Sequence, residues 1–240
     1  MIATQNKIWQ SARAAFPYSL PMLVGFLFLG FAYGLYMKGL GFNAWYPFLM
    51  ALLIYAGSVE FIVAGALMGV FTPVYVFLLT LMVSLRQIFY SISMLEKYGS
   101  GVGKKRWYLI SSLVDESFSL NYVATIPSHL DKGWYMFFVS LYLHIYWVLG
   151  ALLGNVFGNI IPFDLKGIEF AMTALFLVIF AENWLKEKSH KSSLLGIGVA
   201  SLCLLVVGKN YFLLPTLAII WLVLTLWRAK LNVTLEQVEK

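Results

Sequence analysis

Charged side chains are what this chain has least of. Asp, Glu, Lys and Arg make up 12% of its 240 residues, while 61% are hydrophobic. A soluble domain carries about a quarter charged residues, so an ordinary soluble fold is excluded and a polytopic integral membrane protein is indicated. One cysteine, Cys203, rules out an internal disulfide and gives no basis for a cysteine-built metal site. No HExxH, GxSxG or GxxxxGK(S/T) motif occurs, so neither a membrane protease nor an ATP-driven pump is supported. No nucleophile–base pair or metal cluster stands out; enzymatic activity, cofactors and metals are not expected. A net charge of +6 would suggest nucleic acid in a soluble protein. Here it reads as basic loops facing anionic lipid, with no nucleic-acid partner.

What the chain has in abundance is long apolar runs. Eight can be counted: Tyr18–Met37, Trp45–Val70, Pro73–Met94, Tyr108–Pro127, Trp134–Ile161, Ile168–Trp184, Leu194–Val207 and Tyr211–Trp227. The expected fold is an all-α, polytopic membrane bundle of seven or eight apolar segments, two of them broken or re-entrant. Residues 1–16 are not read as a secretory signal, because the apolar run that follows is too long and no small-residue cleavage site interrupts it. They are expected to lie in the interface, because Ile8, Trp9, Ala12 and Phe16 fall at helical spacing opposite Gln5, Lys7 and Arg13. Residues 17–229 form one transport domain and 230–240 a cytoplasmic tail. Pro21 is expected in the first turn of the first span.

Basic residues suggest which segments turn back. Eight full crossings would leave 9 basic residues inside and 7 outside, with Arg86 counted as intramembrane. If one segment before Glu96 and one between Trp107 and Lys186 turn back, the division becomes 12 to 4, with Lys38, Lys132, Lys166 and Lys209 outside. The positive-inside rule favours the second arrangement. The natural candidates to turn back are Trp45–Val70 and Tyr108–Pro127, whose middles are polar. Non-helical backbone at membrane depth is tolerated only where it is buried in protein or lines a cavity.

Those polar middles hold the candidate site. Tyr55-Ala56-Gly57-Ser58-Val59-Glu60-Phe61 places a carboxylate at the centre of an apolar run, at a cost of roughly 2.5–3.5 kcal/mol on insertion scales. Glu60 is either a substrate or proton site or a neutral carboxyl bonded to a neighbouring helix. Arg86 either pairs with an acid or snorkels. In a continuous helix, Ser111, Asp115 and Ser119 share a face, with Ser112 and Glu116 beside them, forming either a hydrophilic path or the polar face of an interfacial helix. His144, between Tyr142 and Tyr146, reads first as a packed, hydrogen-bonded histidine and second as a proton relay. Gly150, Gly154 and Gly158 read as a helix-packing ladder. Transport residues are therefore sought among Tyr55, Gly57, Ser58, Glu60, Phe61, Arg86, Asp115, Glu116 and Ser119.

Four motifs in order carry a resemblance: Leu20-Pro21 through Gly34, Tyr55 to Phe61, Leu85-Arg86-Gln87-Ile88-Phe89-Tyr90 and Val114-Asp115-Glu116-Ser117-Phe118. On these the chain resembles the AzlC-type large subunits of branched-chain amino acid permeases. Glu60 stands where that pattern usually has Gln, and Gln87 where it usually has His. The resemblance implies a cell-membrane exporter of valine, leucine and isoleucine or related amino acids, driven by proton motive force. It also implies a small AzlD-type membrane subunit as partner. For such a substrate, Arg86 or helix N-termini could meet the carboxylate and Glu60 or Asp115 the ammonium, with Tyr55, Phe61 and Phe118 around the side chain. The alternatives are an uncoupled channel or facilitator, and a structural membrane subunit.

Overall fold

A computed structural model describes residues 2–69, 72–99, 101–158 and 160, and beyond these 170, 173, 174, 177, 180, 181, 184, 185, 190–208, 212, 215, 216 and 218–226. The chain divides into two compact units, Met1–Met172 and Thr173–Lys240. Among the described residues every regular element is helical. In the first unit these are α1 (Ile2–Gly39), α2 (Trp45–Leu53), α3 (Gly57–Leu67), α4 (Pro73–Ser93), α5 (Leu95–Gly99), α6 (Lys105–Ser111), α7 (Asp115–Val123) and α8 (Lys132–Phe157). The second unit contains α9 (Lys191–Val207) and helical residues at 218–226. Glu169, Glu182, Lys186, Lys188 and the tail 230–240 lie outside the described residues.

Three described helices are long and apolar enough to cross a membrane: Asn6–Gly39 within α1, α4 and α8. The stretch expected at the interface and the first span form one continuous helix, so Pro21 sits deep inside α1 rather than in its first turn.

α1 and α8 form the central seam and run parallel. Going up α1, the backbone carbonyl of Ala12 accepts from the Tyr142 hydroxyl at 3.2 Å, and the Ser19 and Tyr146 hydroxyls bond at 2.9 Å. Further up, Asn155 donates to the Gly34 carbonyl at 3.4 Å. Glycine makes this approach possible. A Cβ built on Gly34 would lie 2.1 Å from the Ala151 carbonyl oxygen, and one on Gly154 2.0 Å from that of Phe31. The Gly150–Gly154 ladder thus serves packing, as its spacing suggests.

The Trp45–Val70 run does not cross. Near the far end of the seam the Phe42 carbonyl accepts from Asn155 at 3.1 Å, and α2 descends until the Ala51 carbonyl meets His144 Nε2 at 3.3 Å. There the helix breaks. Tyr55 has φ +45° and Ala56 is extended. The chain then climbs back. Glu60 bonds to Trp147, Phe61 packs against Tyr33 and Tyr36, and Gly65 reaches the level of the Tyr36 hydroxyl. From His144 to Asn155 the helix rises about 16 Å, half a hydrocarbon core.

Tyr108–Pro127 makes the mirror-image excursion from the other end. Lys105 lies 3.9 Å from Asp131 and over the Trp134 ring at the start of α8. α6 rises until the Tyr108 hydroxyl meets His144 Nδ1 at 3.0 Å, and the helix breaks at Ser112–Val114. α7 then returns. Phe118 stacks on Tyr90, and Asn121 bonds to Tyr98 and Ser140 at 3.2 and 3.1 Å. Lys97 donates to the Asn121 carbonyl at 3.4 Å and to that of Tyr122, capping α7. Two broken hairpins therefore enter from opposite ends and meet at the level of His144.

This path corrects one expectation. Lys132 lines a cavity with Lys97 and begins the helix against which Lys105 packs, so it lies at the end bearing Lys97 and Lys105. Apart from Arg86, the described basic residues of the first unit are Lys7, Arg13, Lys97, Lys104, Lys105, Arg106 and Lys132 at that basic end, and Lys38 at the far end.

Candidate functional site

Where the hairpins meet, a cavity of about 250 Å³ opens. The first break contributes Ile54, Tyr55 and Ala56; the second contributes Ile110, Ser111 and Leu113. The third wall is α4, through Leu81, Ser84, Gln87, Ile88 and Ser91. Its volume falls just under the roughly 300 Å³ lower bound of ordinary small-molecule pockets. The lining is aliphatic with hydroxyl and amide groups and no formally charged side chain.

Each break is stitched by a side chain just inside the helix that follows. At the first, the Ala56 N–H donates to Glu60 Oε1 at 3.1 Å. At the second, the Val114 N–H donates to Ser117 Oγ at 2.9 Å, and that hydroxyl lies 3.0 Å from the Ser112 carbonyl. These bonds satisfy N–H and C=O groups that a broken helix would otherwise strand inside the protein. Gly57 is required by close approach, since a Cβ there would lie 2.9 Å from the Trp147 ring.

The residues sought from sequence separate into three groups. Tyr55 lines the cavity, its ring stacked on His144 at 4.0 Å and its hydroxyl buried without a hydrogen-bond partner. Gly57, Glu60 and Phe61 lie in the packing between the first hairpin, α1 and α8, and Ser58 is buried beside them in α3. Glu60 is fully buried and accepts the Trp147 indole N–H at 3.0 and 3.2 Å, while Phe61 meets Tyr33 edge-on. Arg86 and Asp115 form a third group, paired at 2.6 Å, tying α4 to the second hairpin. Asp115 Oδ1 is buried and lacks a partner. Phe118, expected beside the substrate, stacks on Tyr90.

The continuous face of Ser111, Asp115 and Ser119 does not exist. Ser111 ends α6 and lines the cavity, whereas Asp115 opens α7 with Glu116 partly buried beside it and Ser119 is exposed. No glycine or proline marks that break, so the sequence reads as unbroken helix. One group was missed, and His144, packed and hydrogen-bonded as its first reading has it, makes contacts that reading did not include. Ser84, Gln87 and Ser91 recur at helical spacing in apolar α4, a polar stripe that periodicity could have found. His144 contacts both hairpins, and nothing in its neighbours along the chain reveals this. Among the described residues no cluster of His, Cys, Asp and Glu could hold a metal.

A family model described as AzlC protein matches residues 21–161. The chain is 70% identical over 234 residues to an "Uncharacterized membrane protein" of Haemophilus influenzae, covering 98% of this chain and 96% of that one. It is 51% identical over 228 residues to the "Branched-chain amino acid transport protein AzlC" of Bacillus subtilis, covering 95% and 89%. A membrane protein of Helicobacter pylori is 34% identical over 221 residues, covering 91% and 95%. No solved structure matches.

Proposed function

Because this chain belongs to the AzlC family, whose Bacillus subtilis relative is described as a branched-chain amino acid transport protein, we propose that it exports valine, leucine and isoleucine or related amino acids. It does so as a multi-pass protein of the cell inner membrane, coupled to protons, as the large subunit of a permease completed by a small AzlD-type membrane subunit. The observation that carries the transport reading is the half-open cavity between two helix breaks that arrive from opposite ends. Broken helices meeting near mid-depth are the usual construction of a transporter binding site.

On this reading the cavity is the substrate site. Aliphatic Ile54, Leu81, Ile88 and Leu113 suit a branched side chain, and Ser84 and Gln87 suit the polar end. The first hairpin shields the cavity from the far end and the second from the basic end. Arg86–Asp115 latches the second hairpin to α4, and Glu60–Trp147 anchors the first to α8. The excess of basic residues at one end supports placing that end in the cytoplasm.

The test is efflux of preloaded labelled valine from vesicles containing this chain with and without its small partner, and with and without a pH gradient. Valine efflux that needs both subunits and grows with the gradient is expected; absence of valine flux under every condition overturns the reading. The uncharged lining of the cavity favours a second reading, uncoupled facilitation, which flux indifferent to the gradient would select.

A further inference from the structure

We propose that His144 is a positioning residue that ties the tips of both hairpins to α8, so that its two hydrogen bonds decide from which end the cavity can be reached. The proposal rests on reading the hairpins as the two closures of a transport cavity. Among the described residues, His144 is hydrogen-bonded to both hairpins and stacks on Tyr55 at the first break. Its Nε2 lies 3.3 Å from the Ala51 carbonyl at the foot of α2, and its Nδ1 lies 3.0 Å from the Tyr108 hydroxyl on α6. A carbonyl can only accept, so Nε2 carries the hydrogen. In the neutral imidazole Nδ1 then accepts the Tyr108 O–H. Each ring nitrogen thus serves one hairpin.

The ring face has a third task. It stacks at 4.0 Å on Tyr55, the cavity residue whose backbone sits at φ +45°. A non-glycine residue holds that conformation only where its surroundings over-determine it. Removing the imidazole therefore loosens a strained tip on one side and an α6 tether on the other. Neither hairpin can swing away from the seam without losing its bond to His144, and the two losses are separable.

The experiment uses the full chain with Cys203→Ser and Ser84→Cys, leaving one thiol in the cavity wall. A membrane-impermeant thiol reagent is applied from either end in vesicles of defined orientation. Tyr108→Phe keeps the ring beside Phe137 and loses only the tether of the second hairpin. Labelling should accelerate about five-fold from the basic end, as expected for loss of one hydrogen bond, and stay unchanged from the far end. His144→Asn, whose Oδ1 can take the place of Nδ1, should move the acceleration to the far end. If His144→Asn does not fold, Tyr108→Phe decides alone. Acceleration that is absent, or equal from both ends, overturns the proposal. Protection of Ser84→Cys by valine is scored separately. Sided acceleration without protection leaves the role of His144 standing and removes the amino acid from the cavity.

Discussion

Trp147 donates its indole N–H to both carboxylate oxygens of Glu60, at 3.0 and 3.2 Å, across 87 residues of chain. With the Ala56 N–H as second donor, the carboxylate is a knot joining the first hairpin to the seam. Oε1 alone accepts from both donors at 3.1 Å or less, so an amide oxygen could do the same. Glu60→Gln should therefore leave thermal stability in detergent nearly unchanged. Glu60→Leu strands two buried donors, each costing about 1–3 kcal/mol, and should lower the melting temperature clearly. Equal stability of the two variants would deny the knot.

The seam itself is testable with single methyl groups. Gly34→Ala and Gly154→Ala drive a Cβ to within 2.1 and 2.0 Å of backbone oxygen and force the helices apart. Overpacking of this kind costs about 1–3 kcal/mol or more. Gly25→Ala is the control, because nothing lies within 4 Å of its Cβ. It should be neutral or slightly stabilising by about 1 kcal/mol from helix propensity. Thermal unfolding of the three purified variants provides the comparison.

Arg86 and Asp115 should behave as one unit. Arg86→Gln and Asp115→Asn each break the latch on the second hairpin, and the double variant should be no worse than the poorer single one. In a double-mutant cycle on valine efflux the coupling should reach about 0.5–3 kcal/mol, as for residues in direct contact. Additive losses would show that the 2.6 Å pair does not act jointly in transport.

Gln87 presents an amide to the cavity from α4. Gln87→Leu keeps much of the bulk and removes the hydrogen-bonding capacity, and it should weaken half-saturation for valine about five-fold, the worth of one hydrogen bond. Ile88→Ala, on the same wall, should instead flatten the preference among valine, leucine and isoleucine. Measured concentration dependence for the three amino acids distinguishes the two roles.

The re-entrant path makes a sidedness prediction. In the Cys203→Ser chain, Lys7→Cys, Lys97→Cys and Lys132→Cys should all react with an impermeant thiol reagent from one face of the membrane, and Lys38→Cys from the other. Reaction of Lys97→Cys and Lys132→Cys from opposite faces would mean that the segment between them crosses.

The two breaks were legible because a membrane segment cannot hide polarity in its middle: Ser58 and Glu60 in one, Ser112 to Ser119 in the other. The consequences of those breaks were not. Whether Glu60 faces a substrate path or another helix depends on Trp147, and pairing at that separation leaves no local trace. The Ser111–Asp115–Ser119 face failed for a different reason. Helical periodicity was extended through Leu113 and Val114, where backbone turns extended without glycine or proline to announce it. Lys132 was placed at the wrong end because counting crossings treats a returning segment and a spanning one alike. The tether at His144 needs three separate stretches brought to one depth, which only the fold supplies.

Backbone lies against backbone along the line from Gly30 to Gly154, with no side chain between to act as a bearing. Such a contact has no lubricant: one helix cannot creep along the other without oxygen striking carbon. α1 and α8 must therefore stay still during a cycle, like the jamb of a double door. Whatever opens this protein has to be hung upon them.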